Sequence, residues 1–187
     1  MTTAASTPST STWTIDPSHT LVEFSAKHMM ITTVKGRFAD VKGTLTLDEA
    51  APARSSAEVE IAAASIDTRT EQRDQHLKSA DFLEVEKYPT ITFRSRRVEG
   101  ASGEPGKSFR VVGDLTIRGV TREVTLDAVY EGRGRDPWGG ERVSFAADTK
   151  IDRRDFGLTW NAALETGGVL VSNEIKIHVE VQAARAS

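Results

Sequence analysis

Four histidines, His19, His28, His76 and His178, are the residues that first invite chemistry, because imidazole binds transition metals and moves protons near neutral pH. Their spacing argues against a shared metal. His19 and His28 lie nine residues apart, an odd number, so on one regular strand they face opposite sides. No His-x-His or His-x-x-x-His pair occurs, and His178 has outward parity on its strand. With no cysteine there is no disulfide, thiolate metal site or cysteine nucleophile. Neither a Gly-x-Ser-x-Gly elbow nor a carboxylate pair placed for hydrolysis stands out. One stretch remains, in which Arg73, Asp74 and His76 could form a proton-transfer set. Arg69, Arg73, His76 and Lys78 could instead hold an anionic head group by charge-assisted hydrogen bonds. Equally, Arg73 and Asp74 could simply cap and anchor a helix. The reading is a binding module with no metal, no cofactor and no catalytic set.

That stretch, residues 65–83, is also the one part of the chain that does not read as β-structure. Thr68 with Glu71 fits the capping box, and Asp74 with Lys78 is a favourable i,i+4 pair, so a helix of two to three turns is expected. Pro89 pushes Tyr88 away from helical dihedrals, which restarts a strand near Thr90.

Everything around the helix alternates with period two. Val22, Phe24, Ala26 and His28 oppose Leu21, Glu23, Ser25 and Lys27. Further strands are read over 41–47, 57–63, 91–96, 109–117, 120–130, 143–151 and 175–181, with Gly36 expected to kink or bulge its strand. Arg118-Gly119 marks a tight hairpin turn. About eight antiparallel strands without a βαβ rhythm give an all-β fold, an eight-stranded antiparallel barrel with one short inserted helix; a sandwich is the second choice. Strands of ten residues at about 3.3 Å each, tilted by roughly 40°, make a barrel on the order of 25 Å tall, able to hold one slender ligand.

Small residues recur at inward parity, namely Ala26, Gly43, Ala57, Ala63, Gly113, Ala128 and Ala147. A filled barrel wants bulkier branched side chains there, so the pattern points to a hollow interior and an apolar ligand. The expected lining comprises Phe24, Leu45, Ile61, Phe93, Leu115, Leu126 and Phe145, sharing parity with Ala26 and Ala128.

The 187 residues, 38% of them hydrophobic, suit a single domain. A net charge of -3 predicts no attraction to nucleic acid or to an anionic membrane by the bulk field, so any charged partner must be bound locally. Residues 1–11 are Thr, Ser, Ala and Pro without a basic or apolar run and read as a disordered tail, with the domain spanning 12–183. No apolar window is long enough for stable membrane insertion, and the chain reads as soluble and cytoplasmic.

The segments Trp13-Thr-Ile-Asp-Pro-Ser-His19, Val22-Glu-Phe-Ser-Ala-Lys-His28, Gly36-Arg-Phe38, Ser65-Ile-Asp-Thr68, Arg73-Asp-Gln-His-Leu-Lys-Ser79, Asp81-Phe82, Tyr88-Pro-Thr-Ile-Thr-Phe93, Gly113-Asp-Leu-Thr-Ile-Arg-Gly-Val-Thr121 and Arg154-Asp-Phe-Gly-Leu158 occur in this order. Together they resemble the YceI family of polyisoprenoid-binding proteins, which have a lipocalin-like barrel. The resemblance runs from Trp13 to about Val181. It implies a polyisoprenoid, such as a polyprenyl phosphate or a quinone-like lipid, lying in the barrel. Further ligand-binding candidates are His28, Phe38, Arg73, His76, Phe82 and Phe156; residues 68–79 are expected to cover or rim one mouth beside the ligand's polar end, because the helix interrupts a sheet that needs only short turns and its cations cluster at 69–78. Three functions stay open: a lipid carrier, sequestering or storage protein; an enzyme acting on an isoprenoid; and a stress-related protein with an incidental cavity. A homodimer is left open.

Overall fold

The structure, a computed structural model, describes residues 9–187. Eleven strand segments form one sheet: β1 (Thr10–Ile15), β2 (Leu21–His28), β3 (Thr32–Phe38), β4 (Val41–Asp48), β5 (Ser56–Ala62), β6 (Ile66–Asp67), β7 (Thr90–Glu99), β8 (Ser108–Ile117), β9 (Val120–Arg135), β10 (Glu141–Asp152) and β11 (Glu174–Arg185). All neighbours are antiparallel, and β1 pairs with both β4 and β11, which closes the sheet into a barrel. Closure leaves no free edge among the long strands.

Eleven segments make eight staves, because three staves are interrupted. β1 and β2 both lie along β11, separated by a single 3-10 turn at Pro17–His19. β3 and β4 continue one another beside them, as do β5 and β6 beyond. Asp16 stabilises the first interruption. Its carboxylate accepts from the Ser18 amide (3.0 Å) and hydroxyl (2.6 Å) and pairs with Arg142 of β10 (2.9 Å). The Ser18 and His19 hydrogen bonds hold that carboxyl far below the ordinary range.

The β8–β9 hairpin turns at Arg118 and Gly119, both with positive φ (50° and 70°), which matches the twist of the strands it joins. Gly36 corrects the expectation of a bulge: the β2–β3 register runs unbroken through it. The glycine is there for a close approach. A Cβ would lie 2.7 Å from Phe24 Cε1 and 2.9 Å from Thr68 Cγ2, so the Phe24 ring lies over bare backbone.

The helix α1 spans Glu71–Lys78 and starts at Thr70 without a side-chain cap. The expected capping box is absent because the clasp runs the other way. Arg69 adopts φ 64°, and the Thr68 amide and hydroxyl both donate to Asp74 Oδ1 (2.8 and 2.5 Å). Asp74 is thereby buried on Thr68 and makes no ion pair with Lys78. Of the segment expected as a tail, Thr10 and Ser11 belong to β1, where Ser11 accepts the Trp13 indole N–H (2.8 Å); residues 1–8 lie outside the described residues. None of the described helices is long and apolar enough to cross a membrane.

Candidate ligand cavity

Inside the barrel is a cavity of about 640 Å³. Its wall is built by the inward half of each alternating strand: Val22, Phe24 and Ala26 from β2, Val124, Leu126 and Ala128 from β9, Phe145, Ala147 and Ile151 from β10, and Ile175, Ile177, Val179 and Val181 from β11. Phe24, Phe93, Phe145 and Leu126 are only partly buried although they point inward, because the space they face is empty. The small residues decide this. Ala128 and Ala147 stand directly opposite each other on β9 and β10, and Ala26 and Ala57 also line the wall, so four staves withhold side-chain volume from the middle. Gly43 and Gly113 serve a different purpose, admitting Ile15 and Phe93 against bare backbone.

The two ends differ in chemistry. Where α1 lies, the cavity ends on Ile66, Leu77, Phe82, Leu83 and Leu158. At the opposite end, loops 49–55 and 100–107 bring Glu49, Ser55, Ser102, Glu104 and Lys107 into the wall, together with Arg133. Arg133 pairs with Glu49 at 2.8 Å, whereas Lys107 has no carboxylate partner among the described residues.

Of the residues singled out from the sequence, Phe24, Ala26, Phe38, Leu45, Ile61, Phe82, Phe93, Leu115, Leu126, Ala128 and Phe145 line this one cavity. Four do not. His28 is exposed at the end of β2, opposite Val171, because its strand has already left the wall. Phe156 is 1% exposed, packed into the core on the 3-10 turn Arg153–Phe156. Arg73 donates through Nε to Thr68 Oγ1 and through Nη2 to the Thr68 carbonyl, both at 2.7 Å, which commits its fork to the helix start. His76 shares a hydrogen bond with Asp81 (2.9 Å) and sets its ring edge-on to Phe82 and Trp160 (centroids 5.0 and 4.7 Å). Arg73 and His76 thus hold the helix against the barrel, and the helix contributes Leu77 to the wall in their place.

Sequence reasoning missed Arg153. It lines the cavity at 3% exposure, and its guanidinium donates to the carbonyls of Ser172 (2.9 Å), Leu158 (2.7 Å), Trp160 (2.9 Å) and Val171 (3.4 Å). All four lie on the segment after the 3-10 turn, so one side chain ties residues 158–172 across the end of the barrel. Burial lowers its pKa, opposed by the Asp152 carboxylate. The signal was a second arginine beside Arg154 at the end of an otherwise inward-apolar strand. Among the described residues, no three His, Cys, Asp or Glu side chains come together to hold a metal ion.

Comparison with known proteins matches the molecule throughout. The family model described as the YceI-like domain matches residues 13–183. A UPF0312 protein of Serratia proteamaculans is 39% identical over 168 residues, covering 90% of this chain and 82% of the relative. Protein YceI of Escherichia coli O157:H7 is 44% identical over 140 residues, 75% of this chain and 71% of the relative. Among solved structures, the Campylobacter jejuni YceI protein has a TM-score of 0.72 at 32% identity and covers 86% of this chain and 90% of its own. A polyisoprenoid binding domain from Saccharophagus degradans shares the fold, with a TM-score of 0.68 at 15% identity over 93% of this chain and 98% of its own. With the family model spanning the whole barrel, the chain belongs to the YceI-like family.

Proposed function

We propose that this protein binds a long-chain isoprenoid or a similar amphiphilic lipid, including a quinone-like one, in the barrel, for carriage, sequestration or storage. The observation that supports it most is the continuous apolar wall of a cavity of about 640 Å³. At about 30 Å³ per water-sized group, that space takes on the order of twenty carbon atoms, or about four isoprene units. Transferring such a chain out of water is favourable by about 0.8 kcal/mol per methylene-sized group, which is ample for tight binding after ordering costs. The polyisoprenoid binding domain among the structural neighbours supports the same ligand class. Binding fits better than turnover, because the two most buried charged groups in the wall are engaged in holding the fold: Arg153 by backbone carbonyls, and Asp48 by the amides of Ala50 and Ala51. The test is native mass spectrometry of protein purified from its source, followed by organic extraction. A bound lipid mass that extraction releases is the expected result. A ligand-free protein that also fails to take up geranylgeranyl phosphate would remove the proposal.

A further inference from the structure

Among the described residues four large apolar side chains are exposed, and three are consecutive: Met29 (45%), Met30 (63%) and Ile31 (77%), at the tip of the β2–β3 hairpin. The turn is built against local preference. Met29 and Met30 both have positive φ (51° and 62°), with the Ile31 amide donating to the His28 carbonyl (3.2 Å). Asn-Gly suits such a pair of positions, whereas two unbranched apolar residues there bring strain and leave much of their surface exposed. A local rule broken while three apolar side chains stay in solvent marks a place under functional demand.

The tip also has a location and a charge. Its neighbour is the 158–172 segment: the Met29 amide donates to the Leu170 carbonyl (2.8 Å), and Met30 Sδ lies against Gly168. Ala26 and Val171, both in the cavity wall, are within a few residues of it, at the end where the cavity itself is apolar. From Phe24 to Phe38 the hairpin carries Lys27, Lys35 and Arg37 and no carboxylate. Lys35 and Arg37 pair with Glu23 and Asp67, but Lys27, nearest the tip, bonds only the Thr33 hydroxyl. Within residues 158–172 Glu165 is the one acid, and Glu174 follows just after Ser172, whose hydroxyl accepts the Lys27 amide.

We propose that the tip formed by Met29, Met30 and Ile31 docks the barrel on the surface of an anionic phospholipid bilayer. Its shape selects the occupant. Three side chains on a protruding turn offer a few hundred Å², far below the roughly 1,000 Å² of a specific protein interface, so a second copy or a folded partner gains little there. A bilayer accepts a narrow apolar wedge with a cation behind it, and adds attraction for each lysine near the surface. This inference rests on the lipid-binding reading, since a bilayer is where such a ligand resides.

The experiment is co-sedimentation with vesicles of phosphatidylcholine, with and without phosphatidylglycerol. Three proteins are compared: the natural chain, Met29→Asn/Met30→Gly/Ile31→Thr, and Trp138→Ala, which removes the other large apolar side chain exposed among the described residues, at the opposite end. Binding of geranylgeranyl phosphate in vesicle-free buffer and a thermal melt accompany each. The natural chain and Trp138→Ala should sediment with the anionic vesicles, while the triple variant binds them at least about tenfold more weakly. The triple variant should keep its geranylgeranyl phosphate affinity and melt slightly higher, its turn strain relieved. No vesicle binding by the natural chain, equal binding by the triple variant, or loss on Trp138→Ala instead would overturn the proposal. So would a change of molecular mass in light scattering on mutating the tip, which would make it a self-association surface. Vesicle binding without uptake of geranylgeranyl phosphate would leave the tip standing and remove the lipid-binding reading alone.

Discussion

Ala147→Trp should empty the protein of its ligand without unfolding it. Ala147 faces the cavity from β10 and stands opposite Ala128, so an indole there projects into open space rather than into packed atoms. The substitution adds about nine non-hydrogen atoms, a whole indole ring system, to the space of about 640 Å³ that the ligand would fill. A ligand that gives up even four methylene-sized contacts at about 0.8 kcal/mol each loses about 3 kcal/mol, a hundredfold or more in Kd. Overpacking costs arise where a core is already full, and this wall is not, so the melting temperature should move by only a few degrees. The assay is a calorimetric titration with geranylgeranyl phosphate, paired with thermal melts of both proteins. A Kd within about threefold of the natural chain, with an unchanged melt, would show that the ligand does not occupy this part of the barrel.

Three further outcomes follow from the geometry. Gly36→Ala should destabilise the barrel by about 1–3 kcal/mol in chemical denaturation, because its methyl group would collide with the Phe24 ring. Arg153→Met should leave the Ser172, Leu158 and Trp160 carbonyls without a donor, while Val171 keeps the Asn161 amide; it should cost about 2–4 kcal/mol and accelerate hydrogen exchange across residues 158–172 before any other segment. His178 has its pKa raised, chiefly by its hydrogen bond to Asp148 (2.7 Å), so it stabilises the fold fully below its unfolded value near 6.5, and the gain is lost as pH rises through the higher folded value. Because more than a third of that side chain is exposed, the effect is under about 1 kcal/mol; His178→Gln should flatten this slope in melts from pH 5 to 9.

The barrel was legible in the sequence because a half-exposed strand has to alternate. β8 and β9 announced both their parity and their turn, and the small residues at inward positions announced the hollow. The helix was located correctly, yet its side chains were not. Arg73 and Asp74 are three and four residues into a pattern that reads equally as a cationic rim or as a clasp, and only the path of the chain at Arg69 brings Thr68 back onto both. His28 shares parity with Phe24 and Ala26 but lies where its strand has left the wall, and Phe156 follows the end of β10 on a 3-10 turn that packs it into the core. Arg153 was hidden because its partners are carbonyls of a segment without regular structure, which carry no residue-type signal. Gly36 shows the converse case, where a glycine that suggested a bulge makes room for the ring of Phe24, its direct partner across the ladder.

The central claim is that the lipid lies inside the barrel. Photo-crosslinking with a geranylgeranyl phosphate analogue carrying a diazirine along its chain, read by peptide mass spectrometry, tests it most directly. Adducts on inward-facing residues such as Phe93, Leu126 and Phe145, abolished by Ala147→Trp, are the predicted result. Adducts confined to outward-facing positions, or an unchanged pattern in that variant, would contradict it.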